Sequence, residues 1–105
     1  MKRFRFLDTK EYLVFDDLNF EHRLGRGGFN YNIQAKITFP NGWGVSVIRG
    51  PHTYGGDQGL YELSVTYDNE IHYDNPVAEG DVLGYLTREM VTEKMLEIQN
   101  FVGIF

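Results

Sequence analysis

The three histidines, His22, His52 and His72, are the side chains best suited to metal ligation or proton transfer near neutral pH. None stands four residues from another on a helical pattern. A metal centre would therefore have to be gathered in three dimensions, for example from His52, Asp57 and His72; a solvated or hydrogen-bonded histidine is the simpler role for each. Asp16 with Asp17, or Asp57 with Glu62, has the composition of a general acid–base pair. Fifteen acidic residues generate such pairs by chance, however, and most carboxylates are surface groups. Gly25-Arg26-Gly27-Gly28 has the glycines of a phosphate loop. It lacks the Lys-Ser/Thr pair and the G-x-G-x-x-G spacing, and a strand pattern follows it where a helix would be needed. Ser46 and Ser64 fall within strand patterns and have no nucleophile-elbow setting. The absence of cysteine excludes thiol catalysis, disulfides and zinc thiolate sites. These residues imply no cofactor and point away from an enzyme.

Two other groups have the composition of a contact surface. Residues 49–59 combine four glycines and a proline with Arg49, His52, Tyr54 and Asp57, and such loops, placed by a rigid hairpin, commonly bind. The bland alternative is a plain connection between strands. Further on, Asp68, Glu70 and Asp74 form an acidic patch, continued by Glu79 and Asp81 and interleaved with Tyr61, Tyr67 and Tyr73. Tyrosine beside acid suits a protein interface, although the tyrosines alone also fit the packing face of a sheet.

The elements that must position these groups are strands followed by one helix. Residues 3–7 and 11–15 read as short strands, and 18–23 is ambiguous. In 29–39, Phe29, Tyr31, Ile33, Ala35, Ile37 and Phe39 alternate with polar residues, so one face of the strand is apolar. Pro40-Asn41-Gly42 turns the chain into Trp43–Arg49, with Trp43, Val45 and Val47 on one face. Leu60–Tyr67 and Glu70–Tyr73 form a second hairpin around Asp68-Asn69. Val82–Leu86 is a short apolar stretch. Thr87 has the character of a helix N-cap, with Glu89 in the first turn. Met90, Val91, Met95, Ile98, Phe101 and Val102 then recur at helical spacing up to Gly103. The apolar Ile104-Phe105 tail is expected to dock on the sheet or on a partner. The order predicts an α+β fold: an antiparallel sheet of hairpins with one C-terminal helix packed on one face. It spans 1–105 as a single domain, with a variable part at 1–28, a hairpin core at 29–73 and a helix at 87–102.

The chain has 105 residues, of which 15% are aromatic, which separates it from disordered sequences. No apolar run of 18 residues exists, so no membrane span is expected. The basic start is interrupted by Asp8, Lys10 and Glu11, so export is not expected and a cytoplasmic location is. The net charge of −5 is unevenly divided. Residues 1–50 hold eight basic and five acidic residues, a net +3; residues 51–105 hold two and ten, a net −8. Direct nucleic-acid binding is disfavoured, because it rests on cationic contacts to phosphate. An acidic face suits a partner with a basic surface, including one that otherwise holds nucleic acid.

Asn41-Gly42-Trp43-Gly44-Val45-Ser46-Val47 runs into Arg49-Gly50-Pro51-His52-Thr53-Tyr54-Gly55-Gly56-Asp57, then Gly59-Leu60-Tyr61-Glu62 and, later, Asp81-Val82-Leu83-Gly84-Tyr85-Leu86-Thr87. These phrases resemble a group of small uncharacterised bacteriophage and prophage proteins. In them an N-G-[YW]-G-V-S-V strand leads through a Tyr-Gly-Gly loop into a second hairpin, and D-V-[IL]-G-[YW]-L-T opens the last helix. The resemblance covers roughly residues 36–100 and transfers no catalytic residue. It implies a phage accessory protein in the host cytoplasm, acting by protein binding, for instance as an inhibitor of a host enzyme or defence complex. The alternatives are a small enzyme or ligand-binding domain using the 49–59 loop, and a self-assembling homodimer joined through its apolar tail and an edge strand.

Overall fold

The computed structural model describes residues 4–5, 11–24, 31–78, 80 and 82–104. Strand β1 (Phe4–Arg5) pairs with β2 (Glu11–Tyr12) as a separate two-stranded ribbon. A 3-10 turn at Phe15–Asp17 follows, closed by the Asp17 carboxylate, whose Oδ2 accepts from the Val14 amide at 2.9 Å. The main sheet is antiparallel and six-stranded: β3 (Glu21–Leu24), β4 (Tyr31–Thr38), β5 (Trp43–Arg49) and β6 (Tyr61–Tyr67) lie in order. The outer edge of β6 is shared by two short strands, β7 (Glu70–Ile71) and β8 (Leu83–Leu86). One helix, α1 (Arg88–Gln99), completes the chain's order of elements. The α+β fold expected from the pattern is the observed one.

Register shows how alternation becomes a core. Ala35 pairs with Val47, which pairs with Leu63; Ile37 pairs with Val45, which pairs with Val65. Directly opposed residues point to the same side of a sheet, so these rows form one apolar face. Trp43, Val45, Val47, Leu63 and Val65 are buried there against Val91, Met95 and Ile98 of α1. The opposite face carries Lys36, Ser46 and Ser64 in one row and Gln34, Ile48 and Glu62 in the next. Trp43 is the pivot of the packing: Tyr67, His72 and Phe101 each meet its indole edge to face, with centroids 5.0, 5.1 and 5.0 Å away.

Local chemistry sets the ends of the elements. The Thr87 hydroxyl accepts from the Met90 amide at 3.2 Å, the expected N-cap. At the other end Asn41 donates to the carbonyls of Ile98, in the last turn, and Phe101, just beyond it, and so ties the β4–β5 turn to the end of the helix. The helix stops at Gln99 with Asn100 as its cap, and Val102, expected on its apolar face, lies beyond it and is exposed. Met90, also expected on that face, is exposed in the first turn. Asp68 and Asn69 both hold positive φ, 52° and 69°, as a tight hairpin turn of this kind requires.

Expectations for the strands change as well, and the return strand read at 70–73 ends at Ile71. The ambiguous 18–23 segment contributes an edge strand, β3, whose Glu21, His22 and Arg23 are exposed. The apolar 82–86 stretch, given no element from the sequence, contributes a strand, Leu83–Leu86, paired with β6. The strand read at 11–15 is cut short at Tyr12, because Phe15 already opens the 3-10 turn. The Gly25–Gly28 loop, Glu79, Asp81 and Phe105 lie outside the described residues. Among the described residues, no helix is long and apolar enough to cross a membrane.

Candidate contact surface

The 50–59 connection is folded by its own hydrogen bonds. The Thr53 hydroxyl accepts from the Gly50 amide and donates to the Gly50 carbonyl, at 2.9 and 3.0 Å. The Gly55 carbonyl accepts from the amides of Gln58 and Leu60, both at 3.0 Å, around a 3-10 turn at Gly56–Gln58. The loop is tied to the sheet at Tyr54. Its amide donates to Glu62 Oε1 at 3.1 Å, and its carbonyl accepts from the Tyr85 amide of β8 at 3.0 Å.

That last bond sits inside a reciprocal arrangement of two dipeptides, Tyr54-Gly55 and Gly84-Tyr85. Gly84 has no side chain, and a Cβ there would collide with Tyr54 Cβ. Gly55, buried at φ 88°, would place a Cβ 2.9 Å from Tyr85 Cα and 3.0 Å from its Cδ1. Each glycine thus makes room for the other segment's tyrosine. Tyr85 itself sits at φ 57°, a left-handed conformation that bulky side chains rarely adopt. Both residues are nevertheless more than half exposed: Tyr54 58% and Tyr85 55%.

The topology joins this clasp to the acidic patch. β8 pairs with Tyr61 and Leu63, at the start of β6; β7 pairs with Thr66 and Tyr67, at its end. Tyr54, Tyr85, Ile71 and Tyr73 therefore lie along one side of the sheet, over the roughly 20 Å that seven strand residues span. They supply four of the seven large exposed apolar side chains among the described residues; the others, Met90, Val102 and Ile104, belong to the helix and tail. Asp68, Glu70 and Asp74 are exposed at the β7 end, and His52 and Asp57 at the loop end. Lys36 reaches the Asn69 carbonyl at 3.5 Å beside the acidic turn.

The structure separates some of the residues that the sequence grouped. Arg49 pairs with Ile33 across β4 and β5 and so leaves the loop for the core side of the sheet. Its Nη1 donates to the Tyr61 hydroxyl at 3.2 Å, and its guanidinium lies 5.1 Å from the Tyr61 ring centre. His72 packs on Trp43, at the end of β5 opposite to the loop that carries His52 and Asp57. The three do not meet, and no group of three potential metal ligands occurs among the described residues. Asp17 is buried as the cap of its own turn and Asp16 is exposed, which explains that pair structurally. Glu62 is engaged by the Tyr54 amide, and Ser46 Oγ accepts from Gln34 Nε2.

Sequence reasoning missed Tyr85, because its place depends on a loop thirty residues away. The mirrored order of the dipeptides, Tyr-Gly and Gly-Tyr, is the only signal that would have found it. Trp43 Nε1 donates to the Gly103 carbonyl at 2.8 Å, but of the Ile104-Phe105 tail expected to dock, Ile104 is exposed and Phe105 lies outside the described residues. Val102 and Ile104 are 90% and 60% exposed. Comparison with protein-family models, with curated proteins and with solved structures finds no match that would attach the chain to a known family.

Proposed function

We propose that the chain is a phage-type accessory protein that acts in the host cytoplasm by docking on another protein, and that the β7/β8 side of the sheet is its contact surface. The Tyr54–Gly55/Gly84–Tyr85 clasp carries this reading. It keeps two tyrosines in solvent at the expense of a strained backbone, and strain of this kind collects at functional positions. Exposed tyrosines on a rigid support are typical interface anchors. The resemblance of residues 36–100 to phage and prophage proteins supports the origin, and the acidic second half supports a partner with a basic surface. An inhibitor of a host enzyme or defence complex needs nothing more than this. Capture from bacterial lysate tests it: a basic partner should be retained by the parent chain and lost when Asp68, Glu70 and Asp74 are changed to lysine. Retention by that variant contradicts the reading.

The exposed Val102 and Ile104 favour a second reading, self-assembly through the tail. Light scattering decides it: a dimer that dissociates on Val102→Ser/Ile104→Ser supports assembly, and a monomer at all concentrations removes it.

A further inference from the structure

The aromatic rings of this molecule differ in what covers them. At the core end, the Arg49 guanidinium lies over Tyr61 and the Arg88 guanidinium lies 5.5 Å from the centre of Phe15. Phe15, Phe20 and Tyr61 also pack on one another, at 5.1–5.6 Å between centroids. Tyr54 and Tyr85 have no such cover: among the described residues neither ring meets another ring or a cation, and both residues are more than half exposed. The same loop sets the exposed carboxylate of Asp57 three residues after Tyr54, in the turn that the Gly55 carbonyl closes. Residues 51–105 hold ten acidic and two basic residues, and one of the two, Lys94, already reaches Glu97 at 3.9 Å.

We infer that the Tyr54–Tyr85 pair, with Asp57, is a receptor for arginine side chains of the partner. This rests on the docking surface proposed above and names the chemistry it recognises. A guanidinium stacks on an aromatic face and pairs with a carboxylate at the same time. The chain performs the first of these twice with its own residues, Arg49 on Tyr61 and Arg88 on Phe15. Strand addition is a poor competitor at this place, because Tyr85 at positive φ and the register shift between Tyr61 and Leu63 break the regular edge of β8. The acidic β7 end would draw a basic segment along the same side.

The test titrates the full chain with a flexible Gly-Arg-Gly-Arg-Gly peptide and with its citrulline counterpart, which keeps the shape and removes the charge, while following the ring resonances of Tyr54 and Tyr85. The arginine peptide should shift both rings and bind about tenfold or more tighter than the citrulline peptide, and a lysine peptide should fall between them. Tyr54→Phe/Tyr85→Phe should keep binding within about twofold, and Tyr54→Ala/Tyr85→Ala should abolish it. The single tryptophan, Trp43, reports by its fluorescence that each variant is folded. Equal binding of the arginine and citrulline peptides, or arginine binding that survives the alanine pair, overturns the assignment. A captured partner that needs both tyrosines but presents no arginine to them overturns the arginine receptor and leaves the docking surface standing. A partner indifferent to the alanine pair removes both.

Discussion

Placing a side chain in the left-handed region costs a non-glycine residue about 1–2 kcal/mol. Tyr85 bears this at φ 57°, next to a glycine that would have carried it more easily. The reason lies in the ring, and the ring contributes little to the core, since more than half of the residue is exposed. Tyr85→Asn keeps a residue that tolerates this conformation. It should leave stability within about 1 kcal/mol of the parent in urea unfolding, while removing one anchor of the contact surface. A loss of the size of a core truncation, about 2–5 kcal/mol, would make the ring a packing element. The glycines should behave in the opposite way. Gly55→Ala meets both an unsuitable φ and the Tyr85 ring, and Gly84→Ala meets Tyr54 Cβ; each should cost about 2–4 kcal/mol by the same measurement.

Among the elements, the helix and the central strands were legible because both pack on one side only. Apolar residues then repeat at the period of the element, as Ile33, Ala35 and Ile37 do in β4 and Val91, Met95 and Ile98 do in α1. Elements without that asymmetry left no such trace. β3 is an exposed edge with Glu21, His22 and Arg23 in sequence, and β8 joins β6 through Leu83-Gly84-Tyr85-Leu86, where a glycine and a register shift remove the alternation. The length of α1 was overestimated because the apolar spacing runs on through Phe101 and Val102, while Asn100 already caps the helix by bonding back to Leu96, Glu97 and Ile98. Met95→Ala and Ile98→Ala should therefore each cost about 2–5 kcal/mol, and Met90→Ala less than about 0.5. Asn41→Ala should cost about 1–2 kcal/mol and speed amide exchange in the last turn of α1, since the side-chain bonds that tie the β4–β5 turn to the Ile98 and Phe101 carbonyls are lost.

For the whole molecule, charge and exposed apolar surface fall together. The loop residues His52, Tyr54 and Asp57 and the patch of Asp68, Glu70 and Asp74 could be picked out by composition. Their alignment on one side of the sheet could not, because it depends on β7 and β8 dividing the edge of β6 between them. Arg49 was separable in principle: it continues the 43, 45, 47 parity of the apolar face, and a side chain on that parity turns toward the core. Reversing Asp68, Glu70 and Asp74 to lysine should change stability by no more than about 0.5 kcal/mol, as these groups are solvated. Association with a basic partner should weaken with that variant, and for the parent chain it should weaken as salt rises from low to physiological strength.

Tyr54 and Tyr85 are held out for another molecule in the proposed function. The most direct measurement is quantitative capture from bacterial lysate with the parent chain and with Tyr54→Ala/Tyr85→Ala, both verified as folded by Trp43 fluorescence. The parent chain should retain a stoichiometric protein partner and the variant should lose it. Equal recovery by both chains, or no partner on either, would contradict the proposed function.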